Sequence, residues 1–240
     1  MLFFYLSEAY APWLAPYAYG IVLLGFLLFL FRFFENLYAA QFNKPLFRHY
    51  FISEKRFIGR DNLIVTERMS VLIAAVGCML SFGRKNYSYS LINVVLIYPD
   101  QFFSVINNNY HKGEFNPKEK TLVFSWSDFE KGFKITNDNL NVGIHEFMHA
   151  MQLEAKTSRD LDSLRFSKHF QNILKQLTLQ NVKDKIDKTA FFRAYAFSNQ
   201  YEFMAVLAEY FFESPTEFKS QFPKIYDYTK KLLNFNFAQY

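Results

Sequence analysis

The sequence contains a single cysteine, Cys78, among its 240 residues, so no disulfide can form within the chain. A lone thiol is typical of a protein that stays in a reducing compartment. The chain also lacks a stripe of lysine and arginine interleaved with aromatic residues, although its formal net charge is +5 and its pI is near 9.1. The sequence therefore gives no indication of a nucleic-acid partner. Internal repeats are absent as well, which predicts one α+β domain in the body of the chain.

Apolar and aromatic residues are abundant. Hydrophobic residues make up 51% of the chain and charged residues 20%, which is a globular composition. A chain of this length can bury a sizeable core. Aromatic residues reach 20%, with 31 Phe and 16 Tyr, and we interpret this excess as a compositional bias rather than as a stacking surface for bases.

The N-terminal region lacks charge. No charged residue occurs from Ala9 to Phe31, and about 20 residues of helix suffice to span a bilayer. This predicts a transmembrane helix over about residues 12–31 within an anchor of residues 1–35. A cleaved signal peptide is disfavoured because no basic residue precedes the run, and a buried core helix is the other alternative. Since the basic residues begin only at Arg32, we expect a single-pass membrane protein whose C-terminal body lies in the cytoplasm.

The remainder of the chain reads as a connection over residues 36–60 and a domain over residues 61–240. Thr66 is a candidate N-cap for the first helix of this domain, and Asn139 or Asn141 for a later one. Hydrophobic periodicity assigns the other elements. We expect helices over residues 67–80, 160–180 and 199–212, strands over residues 93–98 and 121–127, and a loop over residues 107–120.

The most specific motif is His-Glu-x-x-His at residues 145–149. Residues four apart lie on one face of a helix, so His145 and His149 can direct their imidazoles at one cation. Glu146 then lies beside the metal, where it can act on a water molecule. These two histidines are half of a zinc hydrolase site, because such a site needs a third protein ligand and an open position.

Two carboxylates on a later helix are the best candidates for that third ligand. Glu202 begins an otherwise apolar helix, where a carboxylate must be solvated, paired or bound to metal. Its alternative role is a capping box with Asn199. Glu209 lies two turns along the same face and could instead accept a hydrogen bond from a ligand histidine. His169 is better explained as a partly exposed helix residue. From the chemistry alone Glu202 is favoured, and Glu209 stays open.

The body of the chain, from roughly Leu46 to Leu233, resembles the Mlc titration factor family of bacterial zinc-dependent peptidases. The resemblance implies a zincin-like α+β metallopeptidase domain, with a mixed sheet and an active-site helix, and a gluzincin site. In that site His145, His149 and Glu202 bind one zinc ion per chain, and Glu146 is the catalytic carboxylate. The matching stretches are residues 61–83, 95–99, 123–126, 141–149, 194–196, 202–206 and 209–215.

Tyr195 enters through the same resemblance. It falls where related gluzincins, including the anthrax lethal factor protease domain, carry a tyrosine that faces the scissile carbonyl. A phenol there can donate to a developing oxyanion. A core tyrosine with a bonded hydroxyl is an equally good interpretation of the sequence alone.

The function that follows is a membrane-anchored zinc peptidase that hydrolyses peptide bonds with Glu146 as general base. The strand around residues 122–126 is the candidate sheet edge that holds a peptide or protein substrate in extended form. The alternative is a zinc-containing protein that sequesters a regulatory partner with little or no catalysis. A degenerate enzyme whose metal is only structural is a third possibility, disfavoured because every catalytic position is occupied.

Overall fold

The computed structural model describes residues 47–84, 88–105 and 108–235. Within these residues the strands are β1 Arg56–Gly59, β2 Val94–Tyr98, β3 Phe102–Ser104, β4 Asn109–His111, β5 Gly113–Asn116 and β6 Thr121–Ser125. The first α-helices are α1 Phe47–Glu54, α2 Glu67–Ser81, α3 Trp126–Lys134, α4 Val142–Thr157 and α5 Leu161–Leu177. The later ones are α6 Gln180–Thr189, α7 Gln200–Glu213, α8 Pro215–Gln221 and α9 Pro223–Leu232, with a 3-10 helix at Ala194–Phe197 before α7.

Four strands form one mixed sheet in the order β1-β2-β6-β5. β1, β2 and β6 run parallel, whereas β5 is antiparallel to β6. The α+β class and the mixed sheet expected from the sequence are confirmed. β6 is buried along its whole length and lies between two hydrogen-bonded neighbours, β2 and β5. β5 forms an edge of this sheet.

The core lies between one face of the sheet and helices α2 and α4. Val95 and Ile97 of β2 alternate with less buried neighbours and point toward the helices. Phe124 of β6 meets Phe147 of α4 with ring centroids 6.3 Å apart. Helix α2 packs closely on the same ring, because a Cβ on Gly77 would lie 3.0 Å from the Phe147 ring. The sheet thus fixes the position of α4.

The segment expected to be a loop contains strands instead. β3 and β4 pair as an antiparallel hairpin, and β5 follows directly. The expectation failed because the Asn-rich and charged composition of residues 107–120 hides strands whose pairing depends on tertiary partners. The assignment of residues 122–126 as a sheet edge is also wrong, since β6 lies between β2 and β5.

The helix starts predicted from local sequence are confirmed. The Thr66 side chain accepts a hydrogen bond from the Met69 amide at the start of α2, and Asn141 does the same for Ile144 at the start of α4. Asn199 caps α7 by accepting from the amides of its second and third residues. These caps satisfy amides that the helices leave without partners.

Residues 47–59 are more regular than the connection expected over residues 36–60. They form α1 and β1, and β1 pairs in parallel with β2. A four-residue strand at the edge of a sheet carries too little periodicity to stand out in sequence. The domain boundaries themselves stay a prediction.

The predicted localisation as a single-pass membrane protein is corrected. Among the described residues, no helix is both long enough and apolar enough to cross a membrane. The run assigned as a transmembrane helix, residues 12–31, lies outside the described residues. The expectation rested on the length of that run, on its lack of charge and on the basic residues that follow it, and a buried helix can share the first two properties.

Candidate metal centre

Helix α4 carries the His-Glu-x-x-His motif at residues 145–149. His145 and Glu146 are buried, at 8% and 7% exposure, and the ring centroids of His145 and His149 lie 4.8 Å apart. The spacing of four residues accounts for this proximity, since it corresponds to about one helical turn.

Glu202 on helix α7 meets both histidines. Its Oε2 lies 2.9 Å from Nε2 of His145, and its Oε1 lies 3.4 Å from Nε2 of His149. The side chain therefore turns into the site rather than back to the start of its own helix, as a capping box would require. Packing of α7 against α4 brings the three residues together.

Glu209 lies on the other side of the His145 ring. Its Oε1 is 2.7 Å from Nδ1 of His145, so the ring nitrogens face different carboxylates. A carboxylate can only accept, and Nδ1–H therefore donates to Glu209. This leaves Nε2 directed at Glu202. The structure thus separates the two candidates that the sequence left open: Glu202 is beside both histidines, and Glu209 orients one of them.

The carboxylate of Glu146 lies against the free edge of the sheet. A Cβ on Gly113 of β5 would lie 2.7 Å from Cγ of Glu146 and 2.5 Å from Cγ2 of Val142. Only a glycine lets the strand approach α4 this closely. A hydrogen bond from the backbone of Phe115 also reaches the Glu146 carboxylate. The acid is thereby held between the two histidines and β5.

Tyr195 borders the same site from the 3-10 helix. Its side chain hydrogen-bonds Glu202, and its ring centroid lies 6.0 Å from that of His145. The residue is 52% exposed, so the alternative of a core tyrosine does not hold. The hydroxyl is at the site, and its role in a reaction stays a prediction.

The charges of the site shift one another's proton affinities. Burial disfavours a charged His145, but hydrogen bonds to Glu202 and Glu209 prevail and raise its pKa to about 10. Burial by itself would raise the pKa of the Glu202 carboxyl, but hydrogen bonds from His145 and His149 hold that pKa well below its usual range. Burial raises the pKa of Glu146, against the pull of both histidines. It also raises the pKa of the Tyr195 hydroxyl, beside the charge of Glu202.

The residues present fit a zinc ion. One ligand atom each from His145, His149 and Glu202 lie within 4.8 Å of one another. Within residues 47–84, 88–105 and 108–235 they are the one such group of three or more histidine, cysteine or acidic residues. Two imidazole nitrogens and one carboxylate oxygen are donors that zinc prefers, and three protein ligands leave a position open for water or substrate. The remaining nitrogen of His145 already has a carboxylate partner, as ligand histidines usually do.

A cleft of about 420 Å³ opens onto the site. Its lining includes His145, Glu146 and Glu209, residues of β4 and the start of β5, and the side chains of Arg193 and Tyr195. His169 is not part of the three-residue group, and its ring stacks instead on that of Tyr228, with centroids 6.1 Å apart.

Two residues of the site were missed in the sequence. Arg193 binds both oxygens of Glu209, and Gly113 allows the approach of β5. A signal for Arg193 exists, since it is the single charge in the apolar run of residues 191–197, where burial demands a partner. Gly113 gave no comparable signal, because the neighbour it accommodates is 33 positions away along the chain, at Glu146.

The sequence is also similar to known proteins. Residues 31–233 match the family model described as glucose-regulated metallo-peptidase M90. An uncharacterized protein of Synechocystis sp. is 27% identical over 203 residues, covering 75% of this chain and 71% of the relative. Mlc titration factor A of Yersinia pestis and of Yersinia pseudotuberculosis are each 26% identical over 204 residues, covering 74% of this chain and 71% of the relatives.

Proposed function

This chain belongs to the family of glucose-regulated metallo-peptidases M90, and we propose that it is a zinc-dependent peptidase whose general base is Glu146. The observation that carries the proposal is the convergence of His145, His149 and Glu202 beside a buried Glu146 carboxylate. When bound, zinc would supply Lewis acidity, which lowers the pKa of water and polarises a carbonyl. The protein's own groups supply the other requirements of peptide hydrolysis.

Glu146 is suited to move the proton. Burial raises the pKa of its carboxyl, which brings an acid closer to the pH at which it can both accept and return a proton. Its carboxylate would accept the proton of the attacking water and then deliver it to the leaving amine. The bond from Phe115 and the contact with β5 keep the carboxylate in place. No other carboxylate is needed for the transfer.

The edge strand β5 is our candidate for holding the substrate. The Ser125 amide donates to the Lys112 carbonyl, 2.8 Å away, and Gly113 pairs with Phe124. Because the Lys112 carbonyl points toward β6, the backbone N–H and C=O of the next residue, Gly113, point away from β6 in an antiparallel ladder. Gly113 also lies beside Glu146. A peptide added there as a strand would run past the metal centre. Tyr195, on the other side, would donate to the oxyanion.

The test is Glu146→Gln, with Glu154→Gln as the matched control. Glu154 is buried on the same helix but accepts from Ser90. We expect Glu146→Gln to keep its zinc, measured by elemental analysis, and to lose about a hundredfold to ten-thousandfold in hydrolysis of a fluorogenic peptide library. The control should cleave like the native protein. Equal cleavage by Glu146→Gln would refute the mechanism.

A second function is supported by the relatives. Mlc titration factor A is named for its action on Mlc, and this chain could likewise capture a regulatory protein. A regulator retained equally by native protein, by Glu146→Gln and by chelator-treated protein would favour capture over catalysis. Zinc-loaded native protein that cleaves no peptide of the library would leave capture as the function.

A further inference from the structure

The carboxylate of Glu209 is more heavily engaged than any other acid of the site. It is 1% exposed. Its Oε1 lies 2.7 Å from His145 Nδ1 and 2.6 Å from Arg193 Nη2. Its Oε2 accepts from Arg193 Nη1 at 3.0 Å and from the Asn141 amide at 2.9 Å. Four donors from three residues therefore converge on one carboxylate.

We propose that Arg193 is a positioning residue of the metal centre, which fixes the Glu209 carboxylate and through it the ring of His145. The guanidinium is a rigid planar fork that matches a carboxylate with two parallel bonds. Because Arg193 holds both oxygens of Glu209, the lone pair that accepts from His145 Nδ1–H has a set direction. This bond orients the imidazole ring of His145 and therefore the direction of its Nε2. This proposal rests on one part of the proposed function, namely that His145, His149 and Glu202 bind zinc.

The same side chain connects the other parts of the site. Arg193 Nη1 also donates to the carbonyl of Asn139, in the loop that leads into helix α4. Its Cζ lies 6.0 Å from the ring centroid of Tyr195, two residues further along the chain. One guanidinium therefore links α7, the start of α4 and the 3-10 helix that carries Tyr195. Loss of Arg193 should loosen the ligand set and Tyr195 together.

A purely structural ion pair is the alternative, and the chain offers a matched control for it. Arg165 binds Asp162 at 3.0 Å on helix α5. The side chains are 35% and 7% exposed, compared with 24% and 1% for Arg193 and Glu209. Both pairs join a partly exposed arginine to a buried carboxylate, but among the described residues the candidate metal group consists of His145, His149 and Glu202 and does not include Asp162. A comparison of variants at Arg193 and Arg165 therefore distinguishes a loss of stability from a loss of metal-centre geometry.

The experiment compares Arg193→Gln, Arg193→Lys and Arg165→Gln. Zinc affinity is measured by competition with a chelator, cobalt(II) is bound in place of zinc for its visible absorption spectrum, and unfolding of the metal-free proteins reports stability. We expect Arg193→Gln to weaken zinc binding by about 10-fold to 100-fold and to shift the cobalt spectrum. Arg193→Lys should lie in between, because an ammonium is a point charge without the fork. Arg165→Gln should leave affinity and spectrum unchanged.

The outcomes are decisive in each direction. Native zinc affinity and an unchanged cobalt spectrum in Arg193→Gln would overturn the proposal, as would equal losses in Arg165→Gln. If Arg193→Gln does not fold, Arg193→Lys carries the same test. A native protein that binds zinc but hydrolyses nothing would remove the proposed function and leave the role of Arg193 intact. A native protein that binds no zinc would overturn both.

Discussion

Helix α4 has two buried faces that are stabilised in different ways. On one face Phe147 is fully buried, with its ring centroid 5.0 Å from Tyr89 and 5.7 Å from Phe51. On the other face, His145 and Glu146 are almost as deeply buried. The first face is stabilised by close packing of apolar surface. The second is tolerated because hydrogen-bonding partners are present.

The comparison indicates that fold and chemistry are separable on one helix. Removing atoms from the apolar face leaves a cavity, whose cost falls on the free energy of unfolding. Changing a polar group for one of equal shape leaves packing intact and alters charge. Substitutions on the two faces should therefore change different measured quantities.

The largest effect on stability is expected from Phe147→Ala. The cavity should lower the free energy of unfolding by about 3–5 kcal/mol, a large share of the about 5–15 kcal/mol typical of a native protein. Chemical denaturation of the metal-free protein measures this loss. Glu146→Gln, on the other face, should change the same quantity by less than about 1 kcal/mol, since it keeps its shape and removes a buried charge. Equal destabilisation by both would contradict the separation.

Gly113→Ala should lower the free energy of unfolding by an intermediate amount and should also reduce the rate of hydrolysis. The added Cβ would lie 2.5 Å from Val142 and 2.7 Å from Glu146, and relief of such overpacking costs about 1–3 kcal/mol. Hydrolysis should fall as well, because Glu146 must move. In the double variant Gly113→Ala/Val142→Ala we expect stability to recover in part while hydrolysis stays low. Full recovery of both would show that the contact with Glu146 is unimportant.

The smallest change in stability is expected from Tyr195→Phe. The side chain is half exposed, so loss of its hydroxyl should alter unfolding by less than about 0.5 kcal/mol. If the phenol donates to the oxyanion, kcat should fall by about a hundredfold with little change in KM. Tyr201→Phe is the control, since Tyr201 is also partly exposed, at 39%. An unchanged kcat in Tyr195→Phe would remove the hydroxyl from the mechanism.

The parts of the fold that the sequence predicted are those with short-range causes. The caps at Thr66 and Asn141, the strand of β2 and the helices α2, α5 and α7 follow from periodicity and from side chains within a turn of the element they begin. The hairpin of β3 and β4, and β5 beside it, depend on partners supplied by the fold. Their composition favoured a loop, and tertiary pairing overrode it.

The sequence by itself determined half of the candidate site, because a spacing of four on a helix places His145, Glu146 and His149 on one side of α4 without help from the rest of the chain. Only the tertiary structure distinguishes the positions of Glu202 and Glu209, which share a face of α7 and differ in which nitrogen of His145 they meet. The tertiary structure also places Arg193 against Glu209 and puts β5 rather than β6 at the edge of the sheet. The physical reason is range: helix geometry acts over one turn, whereas strand order and helix packing join residues that the sequence leaves far apart.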